Sequence, residues 1–488
     1  MKIFKNKERK QIFLSALLLV VIIVLYIELN VLISKINLPK LDITEDKVYS
    51  ISNESKERIS KIDKNVKIVV VGLEKYKDNV FVNNVMKMID EFDRSSDKIS
   101  TEFQDDTSSE NNPYIIFQTE TFARKVWINE LYQYKYSSVY ENEETLYLVE
   151  PMITNSILGV VNEIENKMYI CMDKSVYSEK YYLSFVSIAS SLGIDTYGLN
   201  LAEDMKIPND CECLVIVPIA DRADDGSITM SDFSDEERDV IVEYINNGGN
   251  ILFLQESKTL TNAETPNLDY IMGLYGINIS DGIICQENNN IQDKISYVYP
   301  CVELENDILK TVNKDSKICL FDAGAINVNS DESLNVNQQV ILKSDNNSFL
   351  RKDMNNNKLI KTETDTDANG SILGVYVEKN VGDNISKAII YSNSVIATNT
   401  PISIMDTIRN KNISVEAILM DDNAELMADS VKALTNVPDA IYSAKNQYNL
   451  VPSVNILTDN ITLKIMFVIP MIILFVGYIV WRHRKNKK

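Results

Sequence analysis

One histidine and six cysteines bound the chemistry open to this chain. His483 stands in the basic stretch Arg482 to Lys488. Neither a Ser-His-Asp or Cys-His site nor a His-ligated zinc can therefore be built on the long middle of the sequence. The cysteines are Cys171, Cys211, Cys213, Cys285, Cys301 and Cys319. An even count in an exported region permits disulfides. Against that, Cys171 falls in an apolar strand, and Cys211 and Cys213 lie two apart on what reads as one strand face, poor geometry for bonding each other. The six read as free, mostly buried thiols. A C-x-C pair without histidine is a weak metal signal.

Two acidic loops resemble calcium sites. Asp365-x-Asp367-x-Asn369-Gly370 fits the first six positions of an EF-hand loop. The twelfth position, however, is Tyr376 where a bidentate Glu is required, and no helix follows. A turn feeding the strand Leu373 to Val377 is the simpler reading; a weak calcium site at Asp365, Asp367 and Asn369 is the alternative. Asp221, Asp225, Gly226 and Asp232 match less well. With 70 Asp and Glu against 49 Lys and Arg, net −21, carboxylate pairs are too common to single out a glycosidase-like acid and base. No GxxxxGK[ST] loop occurs. No catalytic, cofactor-binding or metal-ligating residue is assigned, and so acidic a surface excludes nucleic acid as a partner.

Two apolar runs, Ile12 to Ile33 and Ile461 to Trp481, are each long enough to cross a bilayer as a helix. Lys2, Lys5, Lys7, Arg9 and Lys10 flank the first, and Arg482, Arg484, Lys485, Lys487 and Lys488 the second. Basic flanks stay cytoplasmic, so the expectation is a two-pass cell-membrane protein with both termini inside and residues 35–460 extracytoplasmic. A cleaved signal peptide fits less well, since Leu32-Ile33-Ser34-Lys35-Ile36 offers no small-x-small site. Glu28 and Asn30 either meet a polar partner helix or mark where the apolar core ends near Ile27. Lys464 can snorkel and Pro470 can kink the second helix.

Between the runs, elements alternate. Ser52 caps a helix through about Ile62, Val66 to Val71 is a buried strand, and Val80 to Phe92 is a helix with Phe81, Val85, Met88 and Phe92 on one face. After Glu150 come helix Ile153 to Ile164, strand Met168 to Cys171, helix Tyr181 to Leu192, and strands Thr196 to Leu199 and Leu214 to Pro218. Ser234-Asp235-Glu236-Glu237 is a capping box opening helix Arg238 to Asn246; Gly248-Gly249 ends it, before strand Ile251 to Leu254. Such alternation predicts a mostly parallel sheet covered on both faces. From Gln286 to about Ser371 the sequence loosens into Asn-rich turns and insertions, among them Asp345-Asn346-Asn347 and Asn355-Asn356-Asn357. Strands resume at Leu373 to Val377 and Lys387 to Tyr391, followed by a helix Ile402 to Asn410.

At this point the residues carry a family resemblance. Leu41-Asp42-Ile43-Thr44-Glu45-Asp46-Lys47-Val48-Tyr49-Ser50-Ile51-Ser52 resembles the "D-L-T-x-x-K-x-Y-S-L-S" stretch of auxiliary components of bacterial ABC transporters, the group that includes the gliding-motility accessory protein. Glu150-Pro151-Met152-Ile153-Thr154-Asn155, Ile207-Pro208-Asn209-Asp210, Phe233-Ser234-Asp235-Glu236-Glu237 with Gly248-Gly249-Asn250-Ile251-Leu252, Asn267-Leu268-Asp269-Tyr270 with Tyr275-Gly276-Ile277, and Val480-Trp481-Arg482 follow in the family's order. Singly these strings are weak; their order over nearly the whole chain is specific.

The resemblance implies an α/β ectodomain between two transmembrane helices: a thioredoxin-like domain, then a class I glutamine-amidotransferase-like domain. The expected plan is a tail 1–11, helix 12–34, first domain 35–149, second domain 150–412 with an irregular insertion near 286–371, a membrane-proximal segment 413–460, helix 461–481 and tail 482–488. It also implies a separate ABC permease and ATPase as partners, with lipid contact through the two helices. Amidotransferase activity is not implied, because no cysteine follows Ile251 to Leu254 and no histidine is at hand. Met172-Asp173-Lys174-Ser175 stands where the family often has "G-H-G-E", so no ligand role carries over to that loop. The expected function is a non-catalytic, membrane-anchored auxiliary or substrate-binding subunit of an ABC transport system. A free-standing surface hydrolase using Asp or Glu, and a structural or adhesive surface protein, are the rival readings.

Overall fold

The computed structural model describes residues 50–105, 112–137, 142–222, 227–261, 263–303, 308–313, 315–329, 331–406, 410–435, 437, 440–442 and 445–447, with Leu18, Leu19, Ile22, Gly477 and Arg482 standing singly. Contacts divide the chain into two units, Met1–Tyr49 and Ser50–Lys488. In the first, Leu18, Leu19 and Ile22 are helical and exposed.

The second unit opens with α1 (Asn53–Ile59), where the Ser52 hydroxyl accepts from the Ser55 amide and so satisfies one of the helix's orphan donors. The apolar run forms β1 (Val66–Val71), buried except at Lys67. Asn79 caps α2 (Val80–Ser95) by accepting from the amides of Phe81 and Val82. The helical period then brings Val85, Met88, Ile89 and Phe92 into the core, with Phe81 at its margin. Next come β2 (Ile99–Gln104), β3 (Tyr114–Gln118) and β4 (Ala123–Trp127). The sheet order is β2-β1-β3-β4, with β1 parallel to β2 and the other pairs antiparallel. A second small sheet holds β5 (Tyr132–Ser137) at its edge beside β6 (Asn142–Tyr147).

The helix expected at Ile153 to Ile164 is α3 (Val149–Asn162). Its apolar residues Met152, Ile153, Ile157 and Val160 enter the core of the first sheet. Its other side is polar and equally buried. The Glu150 carboxylate accepts from the Ser52 amide (2.7 Å) and the Ser55 hydroxyl (2.8 Å), and the Thr154 hydroxyl donates to Ser55 (3.1 Å). Asn155 donates to the carbonyls of Ser191 (2.7 Å) and Ile441 (2.8 Å) and accepts from the Ile441 amide.

Beyond α3 the chain builds a ten-stranded sheet. Its parallel half contains β7 (Asn166–Cys171), β8 (Ile194–Leu199), β9 (Cys211–Ile216) and β10 (Asn250–Leu254). The antiparallel half contains β11 (Ile277–Ile279), β12 (Ile326–Val328), β13 (Val336–Lys343) and β14 (Ile372–Val381); β15 (Asn384–Tyr391) joins the halves, parallel to β10 and antiparallel to β14. On one face pack α4 (Leu183–Ser191) and a C-terminal helix, α7 (Asn423–Leu434). On the other lie α5 (Asp235–Asn246) and α6 (Pro266–Gly273). The Ser234–Glu237 capping box forms with both of its reciprocal hydrogen bonds.

Four expectations need correction. The fold class is a strand-rich α/β arrangement of seven sheets among the described residues, and its principal sheet is mixed where the alternation predicted a mostly parallel one. The insertion near 286–371 supplies β13, which runs along β14 in the principal sheet. Its Asn-rich clusters are turns, as where the Asn347 amide bonds the Asp345 carboxylate. In place of the helix expected at Ile402 to Asn410, β16 (Pro401–Asp406) pairs with β17 (Lys411–Glu416) as antiparallel strands, residues 407–409 lying outside the described residues. There Ile402 and Ile404 are buried while Ser403 does not join the core, a period of two that overrides helical spacing.

The two-pass placement is likewise withdrawn. Among the described residues no helix is long and apolar enough to cross a membrane. The runs 12–34 and 461–481, with Glu28, Asn30, Lys464 and Pro470, lie outside the described residues apart from Leu18, Leu19, Ile22 and Gly477. The two-helix framing of the fold and the extracytoplasmic assignment of 35–460 therefore have no structural support. The expected membrane-proximal segment 413–460 contains α7, whose Leu426, Met427, Val431 and Leu434 are wholly buried in the principal core.

Removing the Glu150 carboxylate strands the half-buried Ser52 amide and the buried Ser55 hydroxyl. Glu150→Ala is expected to lower the unfolding free energy by about 2–4 kcal/mol, with Glu150→Gln in between. Urea titration followed by Trp127 fluorescence measures it; an unchanged midpoint would contradict the account.

Candidate functional site

In an α/β sheet the default ligand site lies at the carboxyl ends of the parallel strands. Here those ends carry Met172–Ser175 after β7, Pro218 beyond β9, Gln255–Ser257 after β10 and Ser392–Ser394 after β15. Their side chains are committed to one another. The Tyr177 hydroxyl lies 3.1 Å from a Glu256 carboxylate oxygen and 2.8 Å from the Ser394 hydroxyl, which itself donates to Glu256. Burial, and then the Glu256 charge, push the Tyr177 phenol upward, so it stays a protonated donor. Gln255 donates to the Ile216 carbonyl (3.0 Å), and Ser175 shares a hydrogen bond with Tyr182 (2.8 Å). Asp173 accepts from the Ala202 amide, and Lys174 lies 3.3 Å from Glu237 and 3.4 Å from Asp221. The cavity left beside Gln255, Glu256 and Asp269 measures about 30 Å³, room for a single water.

The five buried thiols are poor nucleophiles. Burial raises Cys171, Cys213 and Cys319 well above the ordinary value and pushes Cys211 and Cys285 up to about 12. The reactive form is the thiolate, which these sites disfavour. All six are unbridged, and Cys301 alone is exposed. Cys211 and Cys213 do not share a face as their spacing suggested. The β7–β9 register slips between Lys167 opposite Cys211 and Met168 opposite Cys213, a bulge that sends Cys211 into one core and Cys213 into the other.

The calcium-like loop is an arginine clamp. Asp365 takes a two-pronged ion pair from the buried Arg351 guanidinium, at 2.9 and 3.2 Å, and also the Thr362 amide and hydroxyl at 2.8 Å. Arg351 in turn caps the carbonyls of Asn356, Lys358 and Ile360. Asp367 is exposed and paired to Lys361, and Asn369 accepts from the Ser348 amide. The three residues thus point to different partners and form no common cage. Of the second loop, Asp221 pairs with Lys174 and Asp232 caps α6 through the amides of Asn267 and Leu268; Asp225 and Gly226 lie outside the described residues. No cluster of metal-ligating side chains occurs among the described residues.

The strings behind the resemblance are likewise structural ties. Asp210 accepts from Lys167 (2.8 Å) and Tyr169 (3.1 Å), and Asn250 links the Leu434 carbonyl of α7 to the Lys387 amide of β15. Gly248 turns at φ +86°, which only glycine adopts freely. Asn267 accepts from Arg238 and donates to the Phe233 carbonyl.

Open space lies elsewhere, where the two small sheets meet the principal one. A groove of about 670 Å³ runs between β5, the start of α4 and the end of β17. Its walls carry exposed Tyr134 and Leu183, the buried Gln133, and Glu416, which accepts from the Ser184 hydroxyl (2.9 Å) and Asn399. Lys135 is held by Asp422 (2.9 Å) and Glu425 (2.8 Å). Burial works against its charge, but the two carboxylates outweigh burial and raise its pKa. A second cleft of about 350 Å³ is lined by Arg124, Trp127, Asp195 and Tyr197. Sequence reasoning missed both clefts. The Tyr132-x-Tyr134-x-Tyr136 alternation was the one available signal.

No family model and no curated protein matches the chain. Fifteen solved chains match. One is the mmIFT52 N-terminal domain, at 12% identity and TM-score 0.38 over 55% of this chain and 96% of that one. Another is the cold-adapted β-galactosidase from Rahnella sp. R3, at 8% identity and TM-score 0.28 over 58% of this chain and 33% of that one. Likeness at this level carries no argument about fold or function.

The Arg351 clamp has a pH signature. Burial alone would raise the Asp365 carboxyl, but the Arg351 and Thr362 bonds outweigh it and hold it below the ordinary 3.8. A depressed folded value contributes stability above 3.8 that is lost as pH falls through it. The stability gap between the parent chain and Asp365→Asn should be constant near neutrality and close below 3.8, measured by urea titration at stepped pH. A gap that widens on acidification would contradict the assignment.

Proposed function

We propose that this chain is a non-catalytic auxiliary subunit of an ABC transport system that binds partners or cargo through the clefts beside its small sheets. The observation carrying this reading is the plugged strand edge. Where an α/β enzyme keeps a reactive group above its sheet, β10 runs into Gln255-Glu256-Ser257, and Glu256 is spent on Tyr177 and Ser394. Catalysis needs a nucleophile or base with room for substrate beside it. The cavity beside Gln255 and Glu256 has space for one water, while the clefts hold hundreds of Å³ and carry exposed apolar and aromatic side chains.

The ordered strings from Leu41 to Trp481 support the transport assignment by resemblance. Under it the chain works beside a separate permease and ATPase, which supply the pathway and the energy. Tagged full-length chain purified in mild detergent is expected to bring down an ABC ATPase and a multispanning permease in comparable amounts. Recovery of the chain alone, under conditions that keep other ABC assemblies intact, would overturn the proposal.

A further inference from the structure

Strand β5 is an edge strand, and the alternation of its backbone is fixed. The Leu148 amide donates to the Leu131 carbonyl (2.9 Å), and Tyr132 stands opposite Tyr147. In an antiparallel pair, bonded and non-bonded positions alternate, so Gln133 and Lys135 bond to β6. Tyr132, Tyr134 and Tyr136 therefore turn their amides and carbonyls outward. Tyr136 confirms the direction, since its carbonyl accepts from the Asp421 amide (2.8 Å) and it forms a parallel bridge to Met420.

From that bridge the neighbouring segment diverges, and the 670 Å³ groove opens along Tyr134 and Tyr132. Among the described residues no backbone group across the groove pairs with these two. Folded proteins usually cover, charge or shorten such an edge because it is a template for another strand. Here it is flanked by Tyr134 at 62% exposure and Leu183 at 64%. Inside the same wall, the buried Gln133 side chain donates to the Ser184 carbonyl, yet its own oxygen has no partner.

The charge of the groove is one-sided. Lys135 is the sole cation among the lining residues, and Asp422 and Glu425 neutralise it from behind. Glu416 is held by a hydroxyl and an amide with no cation at ion-pair distance among the described residues. Glu130 adds a second carboxylate, which accepts from the Ser190 hydroxyl (3.1 Å), while the nearby Arg124 pairs with Asp195.

We infer that the β5 edge is a docking site for an extended segment of a partner protein, which adds a strand beside Tyr132 and Tyr134 and presents Lys or Arg to Glu416 and Glu130. Main-chain hydrogen bonds would supply affinity, and the apolar and acidic walls would select alternate side chains. This deepens the partner-binding part of the proposed function and rests on it.

The test uses the full chain and a synthetic peptide of alternating Lys and Val, with a Glu–Val peptide as its charge-reversed control. The Lys–Val peptide is expected to bind and to slow hydrogen exchange at the Tyr132 and Tyr134 amides. The Glu–Val peptide should bind at least roughly tenfold more weakly. A Lys–Val peptide N-methylated at every residue has no edge left to donate and should not bind, a control that leaves the protein untouched. Tyr134→Pro should abolish binding where Tyr134→Ala retains it, and Glu416→Gln should weaken it. Equal binding of both peptides, binding without protection of β5, or binding by the N-methylated peptide would overturn the inference. So would protection of β5 on concentrating the chain alone, which would make a second copy the occupant. Peptide binding without co-purification of a permease would remove the transport assignment alone; co-purification without peptide binding would remove the strand-docking inference alone.

Discussion

The described fold hangs on the buried polar side of helix α3. An amphipathic helix ordinarily turns its polar face to water, but α3 buries both. Its apolar side closes the core under the first sheet, and Glu150, Thr154 and Asn155 reach the other way. Glu150 fixes the cap of α1; Asn155 fixes the end of α4 and the returning chain at Ile441. A buried carboxylate is tolerable only when hydrogen-bonded, so Ser52, Ser55 and Glu150 must fold together or not at all. Arg124 makes a second tie between the sheets through the Ser190 carbonyl and Asp195.

That arrangement decides where function can reside. Tying the small sheets to the flank of the principal sheet leaves grooves along the junction. The strand ends that usually receive ligands are closed by Tyr177, Glu256 and Ser394. Five of the six thiols are buried, and burial keeps them protonated; the acidic loop that looked like a cation site clamps an arginine. Open volume and exposed aromatic side chains lie instead in the clefts beside the small sheets.

Much of this was legible in the residues. Val66–Val71, the Ser234–Glu237 box and the α2 face formed where local pattern and burial agree. The failures share a cause. Ile402 and Ile404 fit either a helix or a strand, and only packing against Val415 and Phe321 decides. Cys211 and Cys213 obey alternation until a bulge, invisible in sequence, inserts one residue. The calcium alternative at Asp365 stayed open because Arg351, its partner 14 residues away, bears no mark in the spacing. The motif strings were read as marks of family, and their physical role as ties between distant segments appears only when Ser52 meets Glu150. The groove is built by three segments far apart in the chain, so no local pattern could announce it.

The most direct test of the account is native-state hydrogen exchange on the intact chain, comparing amides of β1 with those of β9 and β10. If α3 welds the sheets, these strands should open together, with one shared free energy and one denaturant dependence. A lower-energy opening of β1 that leaves β9 and β10 protected would mean that the first sheet folds independently, and that the Glu150 cluster decorates an interface it does not hold.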